Sequence, residues 1–141
     1  MINLEGFTFD PPAGFRTEEV TYGLRFGLPG SGPGPSFMLQ SKAARQGAKF
    51  EDLVQETMVE LAQTVGQLKG LSNSEITFTD GGKGAVLGYN FPTHAGEMRQ
   101  YFVMRLEKGR LCNITLTLPQ SALTESNAAN FMKAIASLKV T

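Results

Sequence analysis

Between Ser74 and Pro119 the chain carries four successive strand-like runs, the first of them alternating, and the links between the runs are too short to carry a crossover. The runs are SEITFT (74–79), AVLGYNFP (85–92), MRQYFVMRLE (98–107) and LCNITLTLP (111–119). Successive side chains of a strand point to opposite faces, so alternation of this kind predicts strands, with Ala85, Leu87, Tyr89 and Phe91 on one face of the second. Parallel neighbours need a connection of about a dozen residues or more. Here the connections are DGGKG, THAGE and KGR, and Asp80-Gly81 is a strong hairpin signal. The segment is therefore expected to form an antiparallel meander.

Upstream, GFTFD (6–10) alternates and is stopped by Pro11 and Pro12. In EEVTYGLRFGL, Val20, Tyr22, Leu24 and Phe26 fall on one side of a strand and Thr21, Gly23, Arg25 and Gly27 on the other. SFMLQSKA (36–43) puts Phe37 and Leu39 opposite Met38 and Gln40. The glycine- and proline-rich stretch between these strands invites comparison with a phosphate cradle. Such a cradle leads into a helix and ends in Gly-Lys-Ser/Thr, whereas here a strand follows, no lysine is present, and prolines remove backbone donors. A hairpin loop is the expected structure.

From Phe50 the period changes to three and four through Leu53, Val54, Met58, Leu61, Val65 and Leu68, with Glu51 and Asp52 in the first turn. This predicts an amphipathic helix of about 18 residues, roughly 27 Å long, capped by Gly70. A second helical stripe, Ala128, Phe131, Met132, Ile135 and Leu138, follows Thr124 and Ser126, either of which suits an N-cap. The order β-β-β-α-β-β-β-β-α does not alternate strands with helices. It predicts an α+β fold: an antiparallel β-sheet of about six to seven strands with two helices packed on it, in one domain spanning 1–141.

Chemistry-bearing residues are sparse. Thirteen basic residues balance thirteen acidic ones and no basic stripe stands out, which disfavours nucleic acid and anionic membrane as partners. The single cysteine, Cys112, lies among strand apolar residues and reads as a buried inert thiol. The single histidine, His94, lies in the THAGE turn with no nucleophile near it in sequence; catalysis would require a Ser or Cys brought beside it in space. Glu51, Asp52, Glu56 and Glu60 line a helix side without the additional ligands a metal site needs. No catalytic set, metal site or cofactor is expected. The N-terminus lacks a basic region followed by an apolar run, and no window is long enough to span a bilayer, so a cytoplasmic protein is expected.

One feature exceeds the needs of a sheet covered on one side. In RQYFVMRLE, Gln100, Phe102, Met104 and Leu106 occupy one face, and Tyr101 and Val103 the other. A sheet with one covered face should be polar on its second face. Apolar residues on both sides are either core or an interaction surface, with methionine an adaptable element of such a surface.

The layout as a whole resembles the DcrB-like family, which shares the PsbP-like α/β/α sandwich, and within it the Eag chaperones of type VI secretion. The resembling pieces are FDPPAGFRTEEV, FGLPGSGPGPSFMLQSKAARQGAKFEDLV, GKGAVLGYNF, and RQYFVM followed by NITLTLP and a closing helix. Phe15, Leu28-Pro29, Ser36-Phe37, Phe50 and Arg99-Gln100 carry the pattern. The likeness is one of order and spacing over nearly the whole chain.

The resemblance implies a cytosolic homodimer without catalytic activity. Such a chaperone holds the apolar N-terminal, pre-transmembrane segment of a secreted effector and keeps it soluble for loading, without inserting into a membrane itself. Gln100 would supply a side-chain amide to the client, with Phe102 and Met104 on the same face and Met38 and Gln40 beside them. Tyr22 and Leu24 join the set if their side of the pleat lines the groove. If Thr21, Gly23 and Arg25 line it instead, either the client is amphipathic or the protein belongs elsewhere in the family. The alternative is a monomeric binding or assembly module of the broader PsbP-like group.

Overall fold

The computed structural model describes residues 2–4, 7–9, 13–14, 19–25, 34–64, 68–94, 96–119 and 124–138. The elements are β1 (Ile2–Leu4), β2 (Phe7–Phe9), β3 (Glu19–Arg25), β4 (Ser36–Ala43), α1 (Phe50–Thr64), β5 (Lys69–Thr77), β6 (Lys83–Thr93), β7 (Gly96–Glu107), β8 (Arg110–Leu118) and α2 (Glu125–Ala136). β1 and β2 form a two-stranded antiparallel sheet. The other six strands form one antiparallel sheet in the order β3-β4-β8-β7-β6-β5, with β3 and β5 at its edges.

The meander from β5 to β8 follows from the turn chemistry. Lys108 and Gly109 both have positive φ, 51° and 74°, and they close the tight hairpin whose flanking pair is Glu107 and Arg110. This backbone matches the right-handed twist of the strands it joins. At the β5–β6 turn, the Gly82 amide donates to Asp80 Oδ1 across 3.0 Å, and Gly81 takes a φ of 90°.

The two helices lie on opposite faces of the sheet. Under α2 sit Val86, Val103, Ile114, Leu116 and Leu118, with Ile135 supplied by the helix and Phe78 at the margin. Under α1 sit Ala85, Leu87, Met104 and Leu111, with Leu53 and Val54 supplied by the helix. Val103 and Met104, adjacent in β7, thus enter different cores. Enclosing side chains of this kind stabilises the fold by about 1.5–3 kcal/mol each. The two-sided apolar character of β7 is therefore mostly core, which corrects the idea that the two helices leave one sheet face uncovered.

The helix boundaries differ in one place from the sequence reading. α1 ends at Thr64, and Gly70 is not its cap but a residue of β5 with φ of 64°, next to the register shift between Lys69 and Ser72. Apolar Leu68 continued the helical period, but it lies outside any helix, and Leu71, one residue past Gly70, packs into the α1-side core from β5. Val65 and residues 26–33 of the loop between β3 and β4 lie outside the described residues. α2 begins as expected: Thr124 Oγ1 accepts from the Asn127 amide across 3.1 Å.

Candidate partner-binding site

Register decides which candidate residues share a surface, because directly paired residues of an antiparallel ladder point to the same side. Met38 pairs with Thr115, which pairs with Phe102. Gln40 pairs with Asn113, which pairs with Met104. Thr117 pairs with Gln100. Met38, Gln40, Gln100, Phe102 and Met104 consequently lie on the face that carries α1.

Tyr22 and Leu24 do not join them. Tyr22 pairs with Leu39, and Leu24 holds the position opposite Phe37; Phe37 and Leu39 pack into the α2-side core. The Leu24 side chain lies outside the described residues. The side of β3 that adjoins Met38 and Gln40 is Thr21, Gly23 and Arg25, all exposed. Of the two ways the pleat could run, the chain takes the one that puts β3's polar side next to the shared face.

The five remaining residues have unequal access. Met38 is 52% exposed and Met104 is 0% exposed. Met104 is enclosed between the sheet and α1 and presents no surface to a partner. Gln100 is partly buried and engaged at both ends: it accepts from the Tyr89 hydroxyl at 2.5 Å and donates to Thr117 Oγ1 at 2.9 Å. A buried phenol needs such a partner, and burial also pushes the Tyr89 hydroxyl's pKa up. Gln40 donates to Glu19 Oε1 on the edge strand.

Beside these residues α1 and the sheet leave a cleft of about 460 Å³. Gln40, Phe102, Leu111 and Asn113 line it from the sheet, and Leu53 and Leu61 from the helix. Its rim carries Lys42, Arg45, Glu56 and Glu60. Arg45 grips Glu56 through two bonds of 2.6 and 2.9 Å. That grip holds the Glu56 carboxyl below the usual carboxylate range. It also ties the segment after β4 to the middle of α1. Leu111, Asn113 and the Arg45–Glu56 pair did not stand out in the sequence. The available signal was Asn113, an amide on the same strand face as Thr115 and Thr117.

Other chemistry-bearing groups lie away from this face. His94 is exposed in the turn after β6. Cys112 is buried, and desolvation pushes its thiol pKa up. Among the described residues, no three His, Cys, Asp or Glu side chains gather in a way that could hold a metal ion, and no helix is long and apolar enough to cross a membrane.

No protein-family model matches the chain, and no curated protein matches it. Its fold is similar to that in the crystal structure of PA94, a Pseudomonas aeruginosa protein of unknown function whose description suggests a regulator. The TM-score is 0.78 at 16% identity, over 99% of this chain and 95% of that one. At that identity the likeness shows the fold alone.

Proposed function

We propose that this protein is a non-enzymatic chaperone that binds the apolar N-terminal segment of a type VI secretion effector, acting as a cytoplasmic homodimer. The observation that carries the reading is the composition of the α1 face toward the β3–β4 edge. There an exposed methionine, Met38, and a half-buried phenylalanine, Phe102, sit among the amide and hydroxyl side chains of Gln40, Asn113 and Thr115, next to an open cleft. Methionine and phenylalanine offer adaptable apolar area, and the polar groups give a client helix hydrogen-bonding points that a plain apolar groove lacks. The family-like order of strands, hairpins and helices supports the same reading.

Client capture is supplied by Met38, Phe102 and Gln40. Gln100 contributes from beneath, by fixing Tyr89 and Thr117 under that surface. The polar side of β3 at the margin suits a client helix with one apolar and one polar face, laid so that its polar face turns toward Thr21 and Arg25.

Co-expression with a fragment carrying the apolar N-terminal segment of an effector tests the proposal. The fragment is expected to stay soluble and co-purify with the chain, and light scattering is expected to show two copies of the chaperone. A fragment that stays in the pellet, with a monomeric chaperone in the supernatant, would overturn it in favour of a monomeric assembly module.

A further inference from the structure

The two edges of the six-stranded sheet are built differently. β5 is interrupted by the register shift between Lys69 and Ser72, where Gly70 takes a φ of 64°. Irregularities and lysines of this kind turn an edge away from further pairing. β3 carries neither. It keeps an unbroken register with β4 from Glu19 to Arg25 and contains no proline or lysine. Among the described residues, no strand pairs with its outer side. Such an edge offers a row of backbone donors and acceptors to another strand.

The residues of β3 select which strand that is. Laid antiparallel against a second copy of itself with all seven residues paired, EVTYGLR sets Tyr22 opposite Tyr22, Thr21 opposite Gly23, and Glu19 opposite Arg25 at both ends. Directly opposed residues share a face. Glu19 and Arg25 adjoin Lys42 and Ser36 on the α1 face, and both are exposed. Full overlap therefore brings a carboxylate against a guanidinium twice. A slip of two residues puts either Glu19 opposite Gly23 or Arg25 opposite Thr21, and both charge pairs are lost.

We propose that β3 is the interface between two copies of this chain, which join edge to edge about a two-fold axis through Tyr22 into one continuous sheet. The arrangement also extends the candidate site. Met38 adjoins Gly23, Gly23 faces the second copy's Thr21, and that Thr21 adjoins the second copy's Gln40. Met38 of one copy and Gln40 of the other thus lie in one row on a shared α1 face, with the two β4 strands three spacings, about 14 Å, apart. The inference deepens the chaperone reading by naming its dimer interface, and rests on it for the client.

Sedimentation velocity over a dilution series of the full chain tests it by giving the dimer dissociation constant. Arg25→Glu and Glu19→Arg each turn both ion pairs into like-charge contacts and are expected to raise that constant about tenfold or more. The two swaps combined restore opposite charges and are expected to return it to within about threefold of native. Hydrogen exchange on the native chain decides the question even if a swapped variant fails to fold. There, β3 amides are expected to slow as concentration rises through the dimer range, while β5 amides do not change. A monomeric native chain, a dimer indifferent to the single swaps, a double swap as weak as the singles, or β3 exchange that does not slow would overturn the interface. Success in these measurements together with failed client capture would leave the interface standing and remove the chaperone reading. Client capture by a dimer indifferent to the swaps would do the reverse.

Discussion

Arg105 donates to Asp80 across 2.8 Å, and this contact joins interior strand β7 to the turn between β5 and its neighbour β6. Arg105 is only 3% exposed. Its guanidinium also donates to the Leu138 carbonyl beyond α2 at 3.2 Å, reaches Glu107 at 3.4 Å, and lies 4.6 Å from the centre of the Phe78 ring. One buried cation thus holds together β7, the β5–β6 turn and the end of α2. Removing a partner from such a group leaves an under-compensated charge, which is the destabilising event.

Acid should loosen this junction. The Arg105 guanidinium, helped by the Gly82 amide, holds the Asp80 carboxyl below its ordinary range. Above an unfolded value of about 4 both states are ionised and the stabilisation is fully present. As the pH falls below that value the unfolded chain takes up its proton first, and the stabilisation is lost as the pH passes the folded value. Thermal melts from pH 7 to pH 2 are expected to show Asp80→Asn melting lower at pH 7 and losing less on acidification than the native chain. Parallel acid limbs would count against the junction.

Gly84 allows a close approach that no other residue can make. A Cβ there would stand 2.4 Å from the Met104 carbonyl oxygen and 2.9 Å from the Phe78 ring. Backbone cannot yield as a flexible side chain can, so Gly84→Ala is expected to lower stability by about 1–3 kcal/mol, read from urea denaturation. Gly23, on edge strand β3, has nothing within 4 Å of such a Cβ. Gly23→Ala is the matched control, expected to stay within about 0.5 kcal/mol of the native chain.

Most of this architecture was legible in the sequence because its signals are local. The β6 face of Ala85, Leu87 and Tyr89, the α2 stripe and the Thr124 cap all follow from period and capping chemistry within a few residues. The placement of the helices on opposite faces was not local. Val103 and Met104 both read as apolar strand residues, and only the assembled sheet sends one under each helix. The candidate site suffered from the same limit. Tyr22 parts from Met38 through a register set by the β3–β4 pairing, and Gln100 is engaged by Tyr89, eleven residues away, and Thr117, seventeen residues away.

Cys112 should be chemically quiet while the fold persists. Desolvation pushes its thiol pKa up, against a weaker opposing pull from Arg105, so little thiolate is present near neutral pH. With an aromatic disulfide reagent at pH 7.5, the native chain is expected to react about tenfold or more slowly than the urea-unfolded chain, the thiolate being the nucleophile. Equal rates would place the thiol in contact with water and overturn its assignment to the core.

Two methionines on the same sheet face separate binding from folding. Met38 is 52% exposed beside Gln40, whereas Met104 is 0% exposed beneath α1. Met104→Ala opens a cavity in the α1-side core and is expected to cost about 2–5 kcal/mol in urea denaturation. Any loss of client capture by that variant would follow the unfolded fraction and should return when the protein is cooled or stabilised. Met38→Asp removes no core contact and is expected to leave stability within about 0.5 kcal/mol of native. It nonetheless puts a charge where the client's apolar face would lie, so capture in the co-expression assay should drop about tenfold or more, in line with the desolvation such a charge would suffer. If Met38→Asp captures the effector fragment as well as the native chain does, the α1 face toward the β3–β4 edge is not where the client binds.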